Sequence, residues 1–438
     1  MKKYLGRLDL FSIVVGAIIG WGSFMLPGTK FLKEGGVINT ALGLVFGALC
    51  IVIIEKNYEV MMNSQNEEGG EFSFTYNNLG KSHGFIVGWF LTLAYFTMIP
   101  LNATAFPLVI KKLVGGVLEF GYLYNVAGYN VYLGEILVST LVILIFAYLN
   151  IRGVKETSKV QKFIIFALIS MVALVFAGML IKGDKTAFAA NYITNYKFDL
   201  GGIAKVFAIT PFAFVGFDAI PQLSKEVNFS AKKASLIAII SLLIGTSIYN
   251  ILNVITALAF SPSEASALEW ATGSAVQGTL GKAFFFMLII ALSAAVWSGI
   301  NGFMLCSSKL LGSIANYGML PKKMGDLNKN DVFKNSILFI AGISLIAPWF
   351  GREVILWIVD MSSLGAAIAY FYVSFIAYKK CTTKSGKVFS ILGVLISILF
   401  VLLLLLPMSP ACLGKESMIA LIIWCAVGLL FYLKLKTK

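Results

Sequence analysis

Long apolar segments alternate with short polar connections along almost the whole chain. Each segment is close to the ~20 residues that an α-helix needs to cross a bilayer. No connection is long and polar enough to form a separate soluble domain. We therefore expect an all-α integral membrane protein with roughly twelve spans. The predicted spans, numbered one to twelve, are 9–33, 39–62, 84–110, 131–150, 160–182, 201–222, 233–260, 283–312, 335–350, 353–379, 388–407 and 416–435.

The composition agrees with a membrane protein. Of the 438 residues, 58% are hydrophobic and 13% are charged, whereas a soluble domain is about 45–50% apolar and about 25% charged. A net charge of +14 would suggest a nucleic-acid partner for a soluble protein. Here the basic residues lie mainly between the apolar segments, so we expect no nucleic-acid partner. With the N-terminus inside, Lys and Arg are about twice as frequent in inner as in outer connections, which predicts that both termini are cytoplasmic.

Two predicted spans are interrupted by residues that weaken a helix. Span one contains "GAIIGWGSFMLPG" and span six contains "ITPFAFVGFDAIPQ". In a helix interior, glycine costs about 1 kcal/mol and proline about 3 kcal/mol relative to alanine. Interrupted segments five spans apart predict an inverted repeat and point to a transporter binding site. We predict a first repeat over 1–182 (spans one to five), a second over 201–379 (spans six to ten), and spans eleven and twelve with a cytoplasmic tail over 388–438.

An unwound stretch in mid-membrane can bind a charged ligand through its backbone. The helix that begins after Gly22 presents N–H groups and the positive end of its dipole, which suit a carboxylate. The half-helix that ends near Ile18 and Ile19 presents carbonyls, which suit an ammonium group or a cation, and similar ends recur around Val215. Two such breaks side by side would bind both charges of an α-amino acid. The alternative interpretation is that the glycines only allow close helix packing.

These motifs resemble those of the amino acid–polyamine–organocation (APC) superfamily of permeases. The resemblance includes "NGFMLCSSKLLGSIANYGMLPK" and "EEGGEFSFTYNNLGKSHGFIVGW" and extends through the tenth span. It implies a five-plus-five inverted repeat with two additional helices, located in the cell membrane. It also implies uptake or exchange of amino acids and related amines by alternating access, without covalent chemistry and without an organic cofactor.

The resemblance assigns substrate contacts to residues of the first break. The substrate carboxylate would accept hydrogen bonds from the backbone N–H groups of Trp21, Gly22 and Ser23. The substrate ammonium would donate to the carbonyls of Ile18 and Ile19.

Further contacts are implied in spans three, six and eight. In span six the ammonium would meet carbonyls near Phe212 and Val215, and the Phe212 ring would act as a lid over the bound substrate. The family often has an acid where Asp218 stands. The side-chain pocket would be lined by three residues of spans three and eight: Thr92, Phe96 and Phe303.

This chain departs from the family pattern at two places. Where Trp21 stands, the family usually has a small residue; a ring facing the pocket would favour small substrates, and a ring facing away would be packing. Many members carry a lysine in span five that replaces a sodium ion between spans one and eight, but that position here is Leu168, and Lys162 lies too early. A sodium ion could still be held by oxygens, the ligands that such a cation prefers. Those oxygens would be the Gly16 and Ile19 carbonyls and the Ser298 hydroxyl.

Ionisable residues inside a membrane are functional hypotheses by default. Asp218 lies beside Gly216 in the predicted break, where it would hold a substrate amine, shuttle a proton or organise the backbone by hydrogen bonds. Glu226 begins the following inner connection. We expect it to pair with a nearby lysine, and a role in a gate is one interpretation. The candidate partners are Lys225, Lys232 and Lys233.

The leading functional hypothesis is secondary active transport of small neutral amino acids by alternating access, coupled to protons or working as an exchanger. A second hypothesis is a carrier of cationic amino acids or polyamines, with Asp218 pairing the extra charge. A third, from another class, is an amino acid sensor that transports little. We do not expect an enzyme, because no nucleophile–base pair or metal-ligand cluster stands out and the chain has a single histidine.

Overall fold

The computed structural model describes residues 5–65, 67–194 and 196–436. The extreme ends of the chain, 1–4 and 437–438, which we predict to be cytoplasmic, lie outside this part. The described chain is almost entirely helical, which confirms the predicted all-α membrane class.

Among the described residues, the first half of the chain contains one small, largely exposed hairpin and eleven α-helices. They are α1 (Arg7–Ile18), α2 (Trp21–Leu26), α3 (Leu32–Gly35), α4 (Ile38–Ser64), α5 (Gly70–Leu79), α6 (Lys81–Phe96), α7 (Met98–Ala103), α8 (Ala105–Val114), α9 (Leu133–Arg152), α10 (Val154–Lys182) and α11 (Lys185–Ala189). A π-helical turn, Pro27–Phe31, joins α2 to α3. Strands β1 (Tyr122–Val126) and β2 (Tyr129–Tyr132) pair antiparallel between α8 and α9.

The helices of the second half follow without further strands among the described residues. They are α12 (Leu200–Ala213), α13 (Ala219–Gln222), α14 (Ala231–Ala257), α15 (Pro262–Ser266), α16 (Ala271–Leu280), α17 (Lys282–Asn316), α18 (Lys334–Ile346), α19 (Gly351–Asp360), α20 (Ser362–Lys380), α21 (Lys384–Leu405) and α22 (Lys415–Lys436).

Within the described residues, nine helical segments are long and apolar enough to cross a membrane, and one bent pair, Arg7–Ile18 with Trp21–Gly35, makes a tenth. Predicted spans nine and ten lie together in one segment, Lys334–Lys380. Predicted span six comprises the shorter helix α12, a turn and α13. The count of twelve spans, the inverted repeat and the division into 1–182, 201–379 and 388–438 stay predictions.

Side-chain caps explain where two of these helices begin. The Asp199 carboxylate accepts a hydrogen bond from the Gly201 N–H at 2.9 Å, and α12 starts there. The Thr383 hydroxyl accepts one from the Gly386 N–H at 3.1 Å at the start of α21. Such caps satisfy N–H groups that a helix N-terminus leaves without an intrahelical partner.

Helix α1 lies in the interior and packs against α10, α14 and α17. All its residues from Ser12 to Ile18 are buried. Large apolar side chains are exposed on the outer helices instead, for example Phe163 at 78% on α10 and Leu430 at 68% on α22. An apolar outer surface of this kind suits lipid rather than water. Helix α1, by contrast, is enclosed by the other spans.

Candidate functional site

The predicted break in span one is present, and a side chain from another span holds it. Helix α1 ends at Ile18, α2 begins at Trp21, and the two halves meet at an angle of 44°. The Trp21 N–H donates to Asn102 Oδ1 at 3.1 Å, and Asn102 Nδ2 donates to the Met98 carbonyl at 2.8 Å. The Ser23 N–H donates to the Gly20 carbonyl at 3.3 Å. The first N–H groups of α2 are therefore partly satisfied by protein atoms.

Gly20 and Gly299 leave the space that the Asn102 side chain fills. A Cβ atom built at Gly20 would lie 3.2 Å from Asn102 Oδ1, and one built at Gly299 would lie 2.9 Å from Asn102 Nδ2. Asn102 is 2% exposed. Asn102 is not among the residues predicted from the sequence, although a lone amide in the apolar stretch "MIPLNATAF" is a usable signal, because a buried polar side chain needs partners.

The break in span six is organised by Asp218. Pro211 lies near the end of α12, where it removes a backbone donor, and the helix stops at Ala213. Asp218 is fully buried, and its Oδ1 accepts a hydrogen bond from the Gly216 N–H at 2.7 Å. Its Oδ2 accepts one from the Tyr95 hydroxyl at 2.9 Å. Both carboxylate oxygens thus have partners within the protein.

The two breaks lie directly against each other. Gly216 has φ +120°, and a Cβ atom there would lie 2.5 Å from Ala17 Cβ and 3.0 Å from the Ile18 nitrogen. Only a glycine combines this backbone conformation with so close an approach. The contact places the end of α1 beside the turn that contains Val215 and Asp218.

Several predicted ligand residues come together at this junction. Ile18, Ile19, Trp21, Gly22 and Ser23 form the first break, and Phe212, Val215 and Asp218 belong to the second. A Cβ atom built at Gly22 would lie 3.6 Å from the Phe212 ring and 3.5 Å from the Tyr249 hydroxyl oxygen. The Phe303 ring is 6.0 Å from that of Tyr95, which binds Asp218. Their contacts with a substrate stay predictions.

Two predicted pocket residues line a different space. Thr92 and Phe96 border an almost entirely apolar cavity of about 660 Å³, formed by parts of α6, α17, α18, α19 and α22. The contacts described above for the two breaks include Tyr95 of the same helix and neither Thr92 nor Phe96. A space so nearly apolar does not suit a zwitterion, so this cavity is not the candidate substrate site.

Trp21 is buried, and its ring lies under a guanidinium group. The Arg352 carbon Cζ is 4.3 Å from the Trp21 ring centroid, a cation–π contact. Arg352 also donates to the Thr104 hydroxyl at 3.0 Å and to the Leu101 carbonyl at 3.3 Å. The Trp21 Nε1 atom and the Arg352 Nη2 atom are buried without a hydrogen-bond partner among the described residues.

Two of the predicted sodium ligands, Gly16 and Ser298, lie against the side-chain amide of Gln161. Ser298 Oγ accepts a hydrogen bond from Gln161 Nε2, and a Cβ atom built at Gly16 would overlap both groups. Leu168, the counterpart of the family's lysine, is fully buried, and Lys162 pairs with Asp9 at 2.8 Å. No group of three or more His, Cys, Asp and Glu side chains in the described chain could hold a metal ion. Sodium at Gly16, Ile19 and Ser298 stays a prediction.

A buried ion cluster lies on the predicted cytoplasmic side. Lys309 Nζ on α17 lies 2.9 Å from Glu68 Oε1 and also pairs with Glu226, while the Leu5 N–H donates to the Glu226 carbonyl at 3.0 Å. Burial raises the pKa of Glu226, and the Lys309 ammonium opposes that rise.

The predicted partners of Glu226 are wrong. We expected a lysine nearby in sequence, Lys225, Lys232 or Lys233, but the structure brings Lys309 to it from another span. Only the folded packing of α17 against this connection reveals the pair.

Comparison with known proteins agrees with this architecture. The family described as "Amino acid permease" matches residues 5–430. The branched-chain amino acid permease BcaP of Bacillus subtilis (strain 168) is 23% identical over 99% of this chain and 92% of that protein. BcaP of Lactococcus lactis subsp. cremoris (strain MG1363) is 25% identical over 88% of this chain and 83% of that protein. The large neutral amino acids transporter small subunit 2 of Homo sapiens is 25% identical over 73% of this chain and 59% of that protein.

The family match spans nearly the whole chain, and the chain has a broken first span and many apolar helices long enough to cross a membrane. The relatives are named as permeases and transporters. The chain therefore belongs to the amino acid permease family of the APC superfamily.

Proposed function

We propose that this protein is a secondary active transporter that moves small neutral amino acids across the cell membrane by alternating access, coupled to protons or as an exchanger. The observation that carries the proposal is the close approach of the two breaks, with Gly216 against Ala17 and Ile18 beside the buried Asp218. Such a junction offers backbone donors and acceptors to one small ligand in the membrane interior. No covalent step is required.

In this proposal the substrate binds as a zwitterion. Its ammonium group meets the carbonyls of Ile18 and Ile19 and those near Val215, and its carboxylate meets the N–H groups that begin α2, at Gly22 and Ser23. Trp21 contributes only when its N–H exchanges its bond to Asn102 for one to the substrate. Substrate binding then replaces hydrogen bonds within the protein and does not satisfy donors that were unpaired before.

A small neutral side chain fits the surroundings of Gly22. Phe212 and the Tyr249 hydroxyl are both within 4 Å of a Cβ atom built there, so little space remains around this glycine. The names of the relatives in Bacillus subtilis, Lactococcus lactis and Homo sapiens specify neutral amino acids, branched-chain or large. The limited space supports a small substrate, and the names of these relatives support a neutral one.

The alternative is a carrier of cationic amino acids or polyamines in which Asp218 pairs the extra charge. The contacts of Asp218 count against it, because Gly216 and Tyr95 already donate to its two oxygens. A substrate ammonium would have to displace a buried hydrogen bond, which offsets part of its own binding energy.

Alternating access needs a closure on each side of the site. On the predicted cytoplasmic side, the cluster of Lys309, Glu68 and Glu226 lies with the Leu5 backbone. On the predicted outer side, Arg352 covers the Trp21 ring. We propose that these two clusters open in turn, with both termini in the cytoplasm.

The test is uptake into proteoliposomes against a panel of amino acids, with sodium and proton gradients imposed separately. We expect uptake of labelled alanine that unlabelled neutral amino acids compete for and that arginine and putrescine do not. Competition by arginine and putrescine instead would establish the cationic alternative. Binding in detergent without counterflow in proteoliposomes would identify a sensor.

A further inference from the structure

A buried, uncharged hydrogen-bond network joins the broken span to three other helices. Gln161 of α10 is fully buried, and its Nε2 donates to Ser298 Oγ on α17 and to the Ser12 carbonyl on α1, the latter at 3.3 Å. Its Oε1 accepts a hydrogen bond from Asn301 Nδ2 at 2.9 Å. The amide therefore uses both of its N–H donors and its oxygen.

The network continues to a fourth helix. Asn301 Oδ1 accepts a hydrogen bond from Asn150 Nδ2 of α9 at 3.0 Å. Gln161, Ser298, Asn301 and Asn150 are each at most 3% exposed. None of these side chains carries a charge. Buried polar groups of this kind fix one arrangement of the elements that they connect.

Gln161 lies beside Gly16 and Ser298, near the end of α1. A Cβ atom at Gly16 would overlap both Gln161 Nε2 and Ser298 Oγ, and Gly16 lies two residues before the end of α1. In the sequence, the Gly16 carbonyl and the Ser298 hydroxyl are candidate ligands for a sodium ion. Hydroxyl and carbonyl oxygens, such as those of Ser298 and Ser12, are the ligands that such a cation prefers. Here the hydrogens of a neutral amide point at these oxygens.

We propose that Gln161 is a positioning residue that takes the place of a coupling cation between α1 and α17. Its amide supplies the partial positive charge that the oxygens of Ser12 and Ser298 require, and it adds no net charge. The neighbouring charges, Lys162 and Asp9, neutralise each other at 2.8 Å. The consequence for coupling rests on the proposed transport function: substrate movement needs no sodium ion at this position.

The test replaces the amide donor by an acceptor of the same shape. In Gln161→Glu, the oxygens of Ser12 and Ser298 lose their donor and face a carboxylate, a set of oxygens that binds a cation. We expect sodium, compared with choline at equal ionic strength, to leave the apparent unfolding temperature of the wild type unchanged. We expect it to raise that of Gln161→Glu by about 1–3 °C. Gln277→Glu, an exposed amide on α16, is the matched control and should gain no sodium response.

Transport provides a second readout. We expect uptake by wild type to be independent of a sodium gradient and uptake by Gln161→Glu to become sodium-stimulated. Gln161→Met keeps the volume and removes every hydrogen bond of the amide, so we expect about a tenfold or greater loss of turnover. Its substrate KM should change little, because the network lies beside the predicted ligand groups and not among them.

Each result decides the inference. Sodium stabilisation of the wild type as large as that of Gln161→Glu would overturn it, as would a Gln161→Glu protein without any sodium response. Should Gln161→Glu fail to fold, full turnover by Gln161→Met would overturn it and a selective loss of turnover would support it. A wild type that transports no amino acid would refute the proposed function, whereas the thermal measurement would still decide the role of Gln161.

Discussion

The contact of Gly216 with α1 gives the sharpest test of the two-break architecture. In Gly216→Ala, the new Cβ atom would lie 2.5 Å from Ala17 Cβ and within 3.0 Å of two backbone atoms of α1. The backbone atoms cannot swing aside as a flexible side chain would. In addition, φ +120° is a conformation that alanine rarely adopts.

The stability that Gly216→Ala should lose follows from these two effects. Overpacking of a tightly packed interior costs about 1–3 kcal/mol, and a residue held in a sparsely populated backbone region costs about 1–3 kcal/mol. The sum is about 2–6 kcal/mol, and near the midpoint a chain of this length loses about 1 °C per kcal/mol. We expect Gly216→Ala to lower the apparent unfolding temperature by about 2–6 °C and to abolish most uptake, since the junction is displaced.

Two further variants separate the contributions. Gly342 lies within α18, and a Cβ atom there meets nothing within 4 Å, so Gly342→Ala should be neutral or stabilising by about 1 kcal/mol. Adding Ala17→Gly to Gly216→Ala removes the 2.5 Å contact but leaves the two backbone contacts and the backbone strain, so it should restore only a part of the lost stability. Unfolding temperature and uptake equal to wild type in Gly216→Ala would refute the claim that the breaks meet there.

Substitutions at Asn102, at Asp218 and in the Lys309–Glu226 pair test the side chains that hold the site. Asn102→Ala removes the cap of α2, so we expect a loss of about 1–2 kcal/mol in thermal stability and weaker uptake; an unchanged protein would mean that the cap is dispensable. Asp218→Ala leaves two buried donors without an acceptor, at about 1–3 kcal/mol each, and should destabilise more than Asp218→Asn. An Asp218→Asn transporter with full uptake and the same pH profile would rule out proton transfer or substrate pairing at this residue. Lys309→Met should destabilise by about 3–5 kcal/mol, and adding Glu226→Gln should recover part of that loss in a thermal unfolding assay; additive losses would contradict their pairing.

The breaks were predictable because helix-weakening residues act locally. Gly20, Gly22 and the sequence around Pro211 and Gly216 disfavour a continuous helix whatever surrounds them. The approach of Gly216 to Ala17 was not predictable, because it depends on how two distant spans pack. The sequence supplied the candidate backbone groups, and the fold supplied their arrangement.

Side chains that complete the site escaped prediction for a different reason. Asn102 is 81 residues from Trp21, and Gln161 is 137 residues from Ser298, so no local spacing connects either pair. A single amide in an apolar span is as compatible with a bond to its own helix as with a distant partner. The burial of an amide could be expected, but its partner could not.

The contacts of the two breaks change how substrate recognition should be understood. The sequence suggested backbone groups left free by the unwound helices, yet the Trp21 N–H donates to Asn102 and the Gly216 N–H donates to Asp218. An unpaired buried polar group costs about 1–3 kcal/mol, so a transporter that must also exist without substrate cannot leave many of them empty. Asn102 from another span and Asp218 from span six itself satisfy these two N–H groups, and in the proposed function a substrate must compete with them. Each exchange then yields little net free energy, which suits a carrier that has to release its substrate on the opposite side of the membrane.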